Sequence, residues 1–365
     1  MKPIIDQEMA EAALFALQNE KLVLGESVWK FEEEFAQFCG MRCGVSTSSG
    51  TGALQIALQA LGIAPKDEVL TTPFSFIATS NSILHTGARA IFSDVEESGF
   101  NLDPQKVMER TSPRTRAIVP VDLYGHPCRI DEFRDVCDDM NLKLVEDACQ
   151  AHGAQYDGKA VGSYADVACF SFDPSKNMTV CGDGGMTVTD DETVAEAARS
   201  LRDCGRVSRY EMSRIGYTSR LNTINAAIGR VQLRRLSQWN ETRRRIAEWY
   251  RRQLEGVEQL LLPPRDKPAM RSVYHLFVAR SNLRSRIIEH LSANGTESGV
   301  HYPIPIHLQI PYRQTFGYSE GMFPFSERLA HEVLSLPMHP LLTEDDVLFI
   351  SDIVKEAIRS DPTGS

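Results

Sequence analysis

Between residues 43 and 190 the chain alternates short apolar runs with amphipathic helical patterns, and this alternation limits the available folds more than any other feature. Apolar runs fall at 44–47, 68–71, 90–94, 117–121, 143–146, 167–172 and 186–189, and helical patterns such as 52–61 and 130–140 separate most of them. Strand–helix–strand order predicts a layered α/β domain built on a large, mostly parallel sheet of seven strands. Ligands of such sheets collect beyond the carboxyl ends of the strands. Polar residues that follow those ends are therefore the first candidates for function.

Beyond the alternating region, residues 222–255 read as one long helix or two. The run Pro263-Pro264-Arg265-Asp266-Lys267-Pro268 punctuates the chain as a loop. A second, smaller α/β unit follows, with a strand over 274–279 and a helix over 285–293. A proline-spaced strap comes next, His301-Tyr302-Pro303-Ile304-Pro305-Ile306-His307. The final helix is expected over 343–359, with Thr343 as N-cap and Asp346 completing the cap. This organisation predicts a large domain over 1–240, including an N-terminal arm, and a small C-terminal domain over 241–365.

Composition removes several function classes. The chain has 365 residues, 42% of them hydrophobic, so its core needs no disulfide or metal to hold it. The net charge of −10 argues against nucleic acid and anionic membrane as partners. The cluster Arg243-Arg244-Arg245 has acidic neighbours and reads as a solvated helix face. Eight cysteines include no C-x2-C pair, and Cys39 and Cys43 lack a second pair at zinc-finger spacing. They read as reduced, partly buried thiols of a cytoplasmic protein. No apolar segment at the start resembles a signal peptide, and none elsewhere approaches membrane-spanning length.

Three segments carry chemistry. Lys176 lies in Phe170-Ser171-Phe172-Asp173-Pro174-Ser175-Lys176-Asn177, just before Gly182-Asp183-Gly184-Gly185. Asp147 lies in Val145-Glu146-Asp147-Ala148-Cys149-Gln150-Ala151-His152-Gly153, at the end of a strand whose alternation turns Glu146 to the other face. An amine and a carboxylate placed this way can hold opposite sides of a pyridoxal phosphate ring. The amine would bond the cofactor aldehyde and move the α-proton, and the acid would keep the ring nitrogen protonated. Ser48-Ser49-Gly50-Thr51-Gly52-Ala53-Leu54 joins a strand to an apolar helix, where backbone N–H groups bind phosphate. It is neither a Walker loop nor a dinucleotide turn. Each residue also has a plain structural reading: Lys176 as an exposed loop lysine, Asp147 as a helix N-cap, Gln150 as a loop amide, Ser171 as a strand serine, Phe76 as core, Gly50-Thr51 as a capped helix start.

Taken together, these segments resemble the DegT/DnrJ/StrS-type aminotransferases of nucleotide-linked keto sugars. The resemblance also takes in Leu24-Gly25-Glu26-Ser27-Val28-Trp29, the strap, and Leu334-Ser335-Leu336-Pro337-Met338-His339-Pro340. It implies a fold-type-I pyridoxal 5'-phosphate domain, a homodimer with sites at the interface, and L-glutamate as amino donor to a nucleotide-diphosphate keto sugar. By motif, Lys176 resembles the Schiff-base lysine, Asp147 and Gln150 the ring contacts, Gly50, Thr51 and Ser171 the phosphate contacts, and Phe76 the stacking ring. Where the family often has Gly-x-Asn-x-Arg, this chain has Gly216-Tyr217-Thr218-Ser219-Arg220. Thr218 would then take the asparagine's place at the phosphate of the second subunit, with shorter reach. His307 is read either as bordering the sugar pocket or as a structural loop histidine.

Asp183 and Ser219-Arg220-Leu221 look more like members aminating the sugar C3 keto group, whereas Met178-Thr179 and Met186 look more like C4 members; the balance leans to C3. The competing readings are a keto-cyclitol aminotransferase, a sugar dehydratase, which in relatives carries histidine in place of the lysine, and a non-catalytic cofactor-binding regulator.

Overall fold

The computed structural model describes residues 3–360. All seven expected strands form one sheet: β1 Cys43–Thr47, β2 Glu68–Thr71, β3 Arg89–Phe92, β4 Thr115–Val119, β5 Lys143–Asp147, β6 Val167–Ser171 and β7 Gly185–Thr189. Their order is β1–β7–β6–β5–β4–β2–β3. Only β7 runs antiparallel to its neighbours. Strands buried on both faces need continuous apolar runs, and β1, β2, β6 and β7 are buried at every position. β4 ends at Val119, but its pairing with β5 resumes past Pro120, where Val121 bridges Asp147.

Helices cover both faces of the sheet. In chain order they include α1 Gln7–Asn19, α2 Glu26–Phe38, α3 Gly50–Ala60, α4 Ala78–His85, α5 Ile130–Met140 and α6 Glu192–Arg202. α2 sends Phe31 and Phe35 into a cluster with Phe170, Phe172 and Val180. α3 presses Ala53, Leu54, Ala57 and Leu58 onto the opposite face, against Val69, Val145 and Cys169. Burying a Leu or Phe in this way contributes roughly 1.5–3 kcal/mol per side chain.

The long helix expected over 222–255 is a single element, α7 Thr223–Leu254. Its first half packs Ala226, Leu233 and Leu236 on the large sheet's core. Its second half packs Ile246, Ala247, Tyr250 and Leu254 into a separate core. The boundary expected at residue 240 thus falls inside a helix that belongs to both cores.

The small unit pairs β8 Phe277–Arg280 with β9 Val333–Leu336, flanked by α8 Arg284–Ala293 and α9 Glu344–Arg359. β8 starts later than expected. Val273 and Leu276 instead donate their N–H groups to Gly125 and Tyr124 of a 3-10 turn in the large domain. Thr343 caps α9, with Asp346 closing the capping box as its spacing predicts. Among the described residues no helix is long and apolar enough to cross a membrane. All eight cysteines are free.

Candidate active site

The carboxyl ends of β5 and β6, the start of α3 and the strap enclose a cavity of about 340 Å³. Lys176, Asp147, Gln150, Ser171, Gly50, Thr51 and Phe76 all line it, together with His301 and Tyr302. The volume is ordinary for a small-molecule site.

Asp147 ends β5, where pairing to Cys169 of β6 fixes its backbone. Its carboxylate accepts from the Thr79 hydroxyl at 2.7 Å and from the Cys149 N–H at 3.2 Å. Both donors aim it. Glu146 faces the other way, accepting from the Gly162 N–H at 2.6 Å.

Lys176 sits on a braced loop. Its N–H donates to the Asp173 carbonyl at 2.9 Å. Asp173 in turn accepts from the Ser175 N–H at 2.8 Å. The next residue, Asn177, donates to the Asn240 side chain of α7 at 2.9 Å and to the Val273 carbonyl at 3.0 Å. The amine therefore projects from a segment tied to α7 and to the chain at Val273. The Lys176 charge also acts on nearby histidines: burial first, and then this charge, hold His301 and His275 below the ordinary histidine range.

At the start of α3 the Ser49 hydroxyl accepts from the Gly52 N–H at 3.1 Å, which caps the helix and leaves neighbouring N–H groups for an anion. Glycine is required here by close approach. A Cβ on Gly50 would lie 2.6 Å from Ser171 Cβ, and one on Gly185 would lie 2.3 Å from the Ser49 carbonyl oxygen. This cradle, the facing amine and the oriented carboxylate fit pyridoxal phosphate: α3 and Ser171 for the phosphate, Asp147 for the ring nitrogen, Lys176 for the aldehyde.

Gln150 accepts from the Tyr124 N–H at 2.8 Å and donates to the Tyr302 hydroxyl at 3.3 Å. Its amide is thereby held at the cavity wall. Phe76 is 55% exposed, its ring 6.0 Å from that of Tyr302. It is an open face of the cavity and not core.

Two expected site residues lie elsewhere. His307 is fully buried against Phe323, with Nε2 2.9 Å from Glu327 Oε1, and the structure does not bring it to the cavity. Thr218 is exposed beside Cys204, away from this chain's own cavity. Conversely, His301 and Tyr302 of the strap, and Thr79 and Ser75 around α4, line the cavity without having been singled out in the sequence. The strap motif pointed to the first pair. Nothing in the sequence pointed to the second.

The sequence matches the DegT/DnrJ/EryC1/StrS aminotransferase family model over residues 3–355. The chain belongs to that family. It is 40% identical over 340 residues, 93% of this chain and 89% of the relative, to the dTDP-3-amino-3,4,6-trideoxy-alpha-D-glucose transaminase of Streptomyces venezuelae. Its fold matches the crystal structure of S. venezuelae DesV in complex with a ketimine intermediate, with a TM-score of 0.94 and 39% identity over 97% of this chain and 95% of that one. It also matches NtdA from Bacillus subtilis with bound cofactor PMP, with a TM-score of 0.89 and 31% identity over 97% and 83%. The protein is thus a pyridoxal-phosphate-dependent sugar aminotransferase of fold type I.

Proposed function

We propose that this aminotransferase moves the amino group of L-glutamate onto a keto carbon, the C3 carbon by preference, of a nucleotide-diphosphate sugar. The observation that carries the reading is the single cavity shared by Lys176, Asp147 and the start of α3. The bound cofactor supplies an electron-accepting ring that eases removal of the proton from the carbon bearing nitrogen. The protein does the rest. Lys176 Nζ takes that proton from glutamate and, in the second half, returns one to the sugar carbon. Asp147 would hold the ring nitrogen's proton. Gly50, Thr51 and Ser171 would anchor the phosphate, and Phe76 and Gln150 would border the ring. Over both halves glutamate becomes 2-oxoglutarate and the sugar's carbonyl becomes an amine.

The nucleotide-sugar class and the C3 position are supported by the name of the S. venezuelae relative and by Asp183, which lines the cavity. A wider groove of about 730 Å³ shares Ser175 and His301 with the cavity and leads along Ser335–His339. It offers room for the remainder of a long substrate.

A homodimer with sites at its interface is supported by the loop carrying Thr218. There Val207, Tyr210, Met212 and Ile215 expose 57%, 81%, 50% and 94% of their surface. Several exposed apolar groups on one loop suit a partner surface, and Thr218 would then reach the partner's phosphate. The eight free thiols fit a reducing, cytoplasmic compartment.

The test is a screen of purified enzyme against 3-keto and 4-keto nucleotide sugars with glutamate, read by product mass. Amination of the 3-keto substrates supports the reading. Turnover of 4-keto sugars alone, or of free keto-cyclitols alone, contradicts it.

A further inference from the structure

Behind Asp147, on the face of β5 away from the cavity, Asp122, Cys128 and Glu146 bring their polar atoms within 4.8 Å of one another. Asp122 and Glu146 are 0% and 1% exposed. Each carboxyl has a single backbone donor. Asp122 Oδ1 accepts from the Cys128 N–H at 2.9 Å, and Glu146 Oε2 from the Gly162 N–H at 2.6 Å. Asp122 Oδ2 is buried and receives no hydrogen bond. A buried carboxylate oxygen without a donor costs more than a hydrogen bond is worth, and two adjacent buried carboxylates cannot both be ionised. The groups that act on the pair are Asp147 on β5, the Cys128 thiol, Cys39 at the end of α2 and, through Cys128, Glu96 after β3. All are acids or thiols, so among the described residues none of these groups offsets a second negative charge.

We propose that Asp122 and Glu146 share one proton across the back of β5, and that this proton bridge is a positioning device for Asp147. The backbone shows how. The Asp122 N–H donates to the Asp147 carbonyl at 3.1 Å, and the Asp147 N–H donates to the Pro120 carbonyl at 2.9 Å. Glu146 immediately precedes Asp147. The bridge therefore joins, side chain to side chain, the two strand ends whose backbones already hold Asp147. It also leaves Asp147 with one neighbouring negative charge and not two. Burial, then each group's charged neighbours, push both carboxyls above the ordinary range. The shared proton stands on this geometry alone, whereas its importance for catalysis rests on the role proposed for Asp147.

The test uses holoenzyme and two isosteric variants, Glu146→Gln and Asp122→Asn. Infrared difference spectra at about pH 6, above the ordinary carboxyl range, read the proton. The wild type should show the carbonyl stretch of a protonated carboxylic acid, and each variant should lose it. Absorbance of the bound cofactor against pH reads the link to Asp147. The wild type should show an extra alkaline transition as the bridge loses its proton, and both variants should lack it. A wild type with no such band overturns the shared proton, and so does one metal ion per chain that is lost in Glu146→Gln. A band without the extra transition overturns the positioning role alone. If neither variant folds, the wild-type band and its disappearance as pH rises still decide the proton question.

Discussion

Thr79 donates its hydroxyl to Asp147 Oδ2 at 2.7 Å from the first turn of α4, while Ser75 lies 3.2 Å from the same hydroxyl. The contact spans 68 residues. It fixes the carboxylate's rotation, and so the direction from which Asp147 would meet the cofactor nitrogen in the role proposed for it. Replacing Thr79 with Val keeps the shape and removes the donor. A hydrogen bond to a charged group is worth about 1.5–3 kcal/mol, so kcat should fall roughly tenfold to a hundredfold with little change in folding stability. Steady-state kinetics beside a urea titration checks this. Unchanged kcat would mean that Asp147 is held well enough without Thr79.

Gly50 allows α3 to approach β6 closely, since its Cβ would meet both Ser171 Cβ at 2.6 Å and Cys149 Sγ at 3.0 Å. Gly50→Ala should push the helix start away from the phosphate position. Overpacking of this kind costs about 1–3 kcal/mol. Cofactor affinity, measured by titrating apoenzyme with pyridoxal phosphate, should fall by tenfold or more. An unchanged affinity would place the phosphate elsewhere.

Arg202 and Glu32 form an ion pair that is 1% and 4% exposed, and Glu32 also accepts from the Ser46 N–H at 2.9 Å. The pair binds α6 and α2 to β1. Glu32→Gln preserves the shape but leaves the arginine's charge buried without its partner, which should cost about 3–5 kcal/mol. The urea midpoint should drop accordingly, with the cofactor site still intact in the fraction that folds. A loss under about 1 kcal/mol would show that water reaches the pair.

His152 lies among Phe35, Phe170 and Phe172, with only a weak contact to the Ser171 backbone for its ring nitrogens. Burial, and then the Lys176 charge, push it down to about 3. In the unfolded chain a histidine takes up its proton near pH 6.5. Between about pH 6.5 and 3 the unfolded state therefore binds more protons, and stability falls as pH falls. His152→Phe should flatten that acid limb in urea titrations. An unchanged slope would mean that other groups set it.

Much of this architecture was legible in the sequence because burial on both faces forces continuous apolar runs. Each of the seven runs became a strand, and the spacing of Asp147 and Lys176 put both at carboxyl ends on one side of the sheet. The gaps have physical causes. Thr79 carries no local signal, since its partner is brought to it only by strand order. The strap was visible, but which of its ends faces the cavity depends on its path. Ile306 and Tyr312 anchor one end in a core with Phe92, and that buries His307 and leaves His301 and Tyr302 at the cavity. The helix over 222–255 was legible, but its packing into two cores was not, because a helix that serves two cores shows one unbroken pattern.

The most direct measurement is borohydride reduction of the holoenzyme, followed by digestion and mass spectrometry. Reduction makes a lysine–cofactor link permanent. The peptide containing Lys176 should carry one pyridoxyl group, and Asp147→Asn should weaken cofactor binding and cut turnover by roughly 10²–10³-fold, as expected when a buried electrostatic partner is lost. A label on any other lysine, or no label in a protein that has bound the cofactor, would contradict the account.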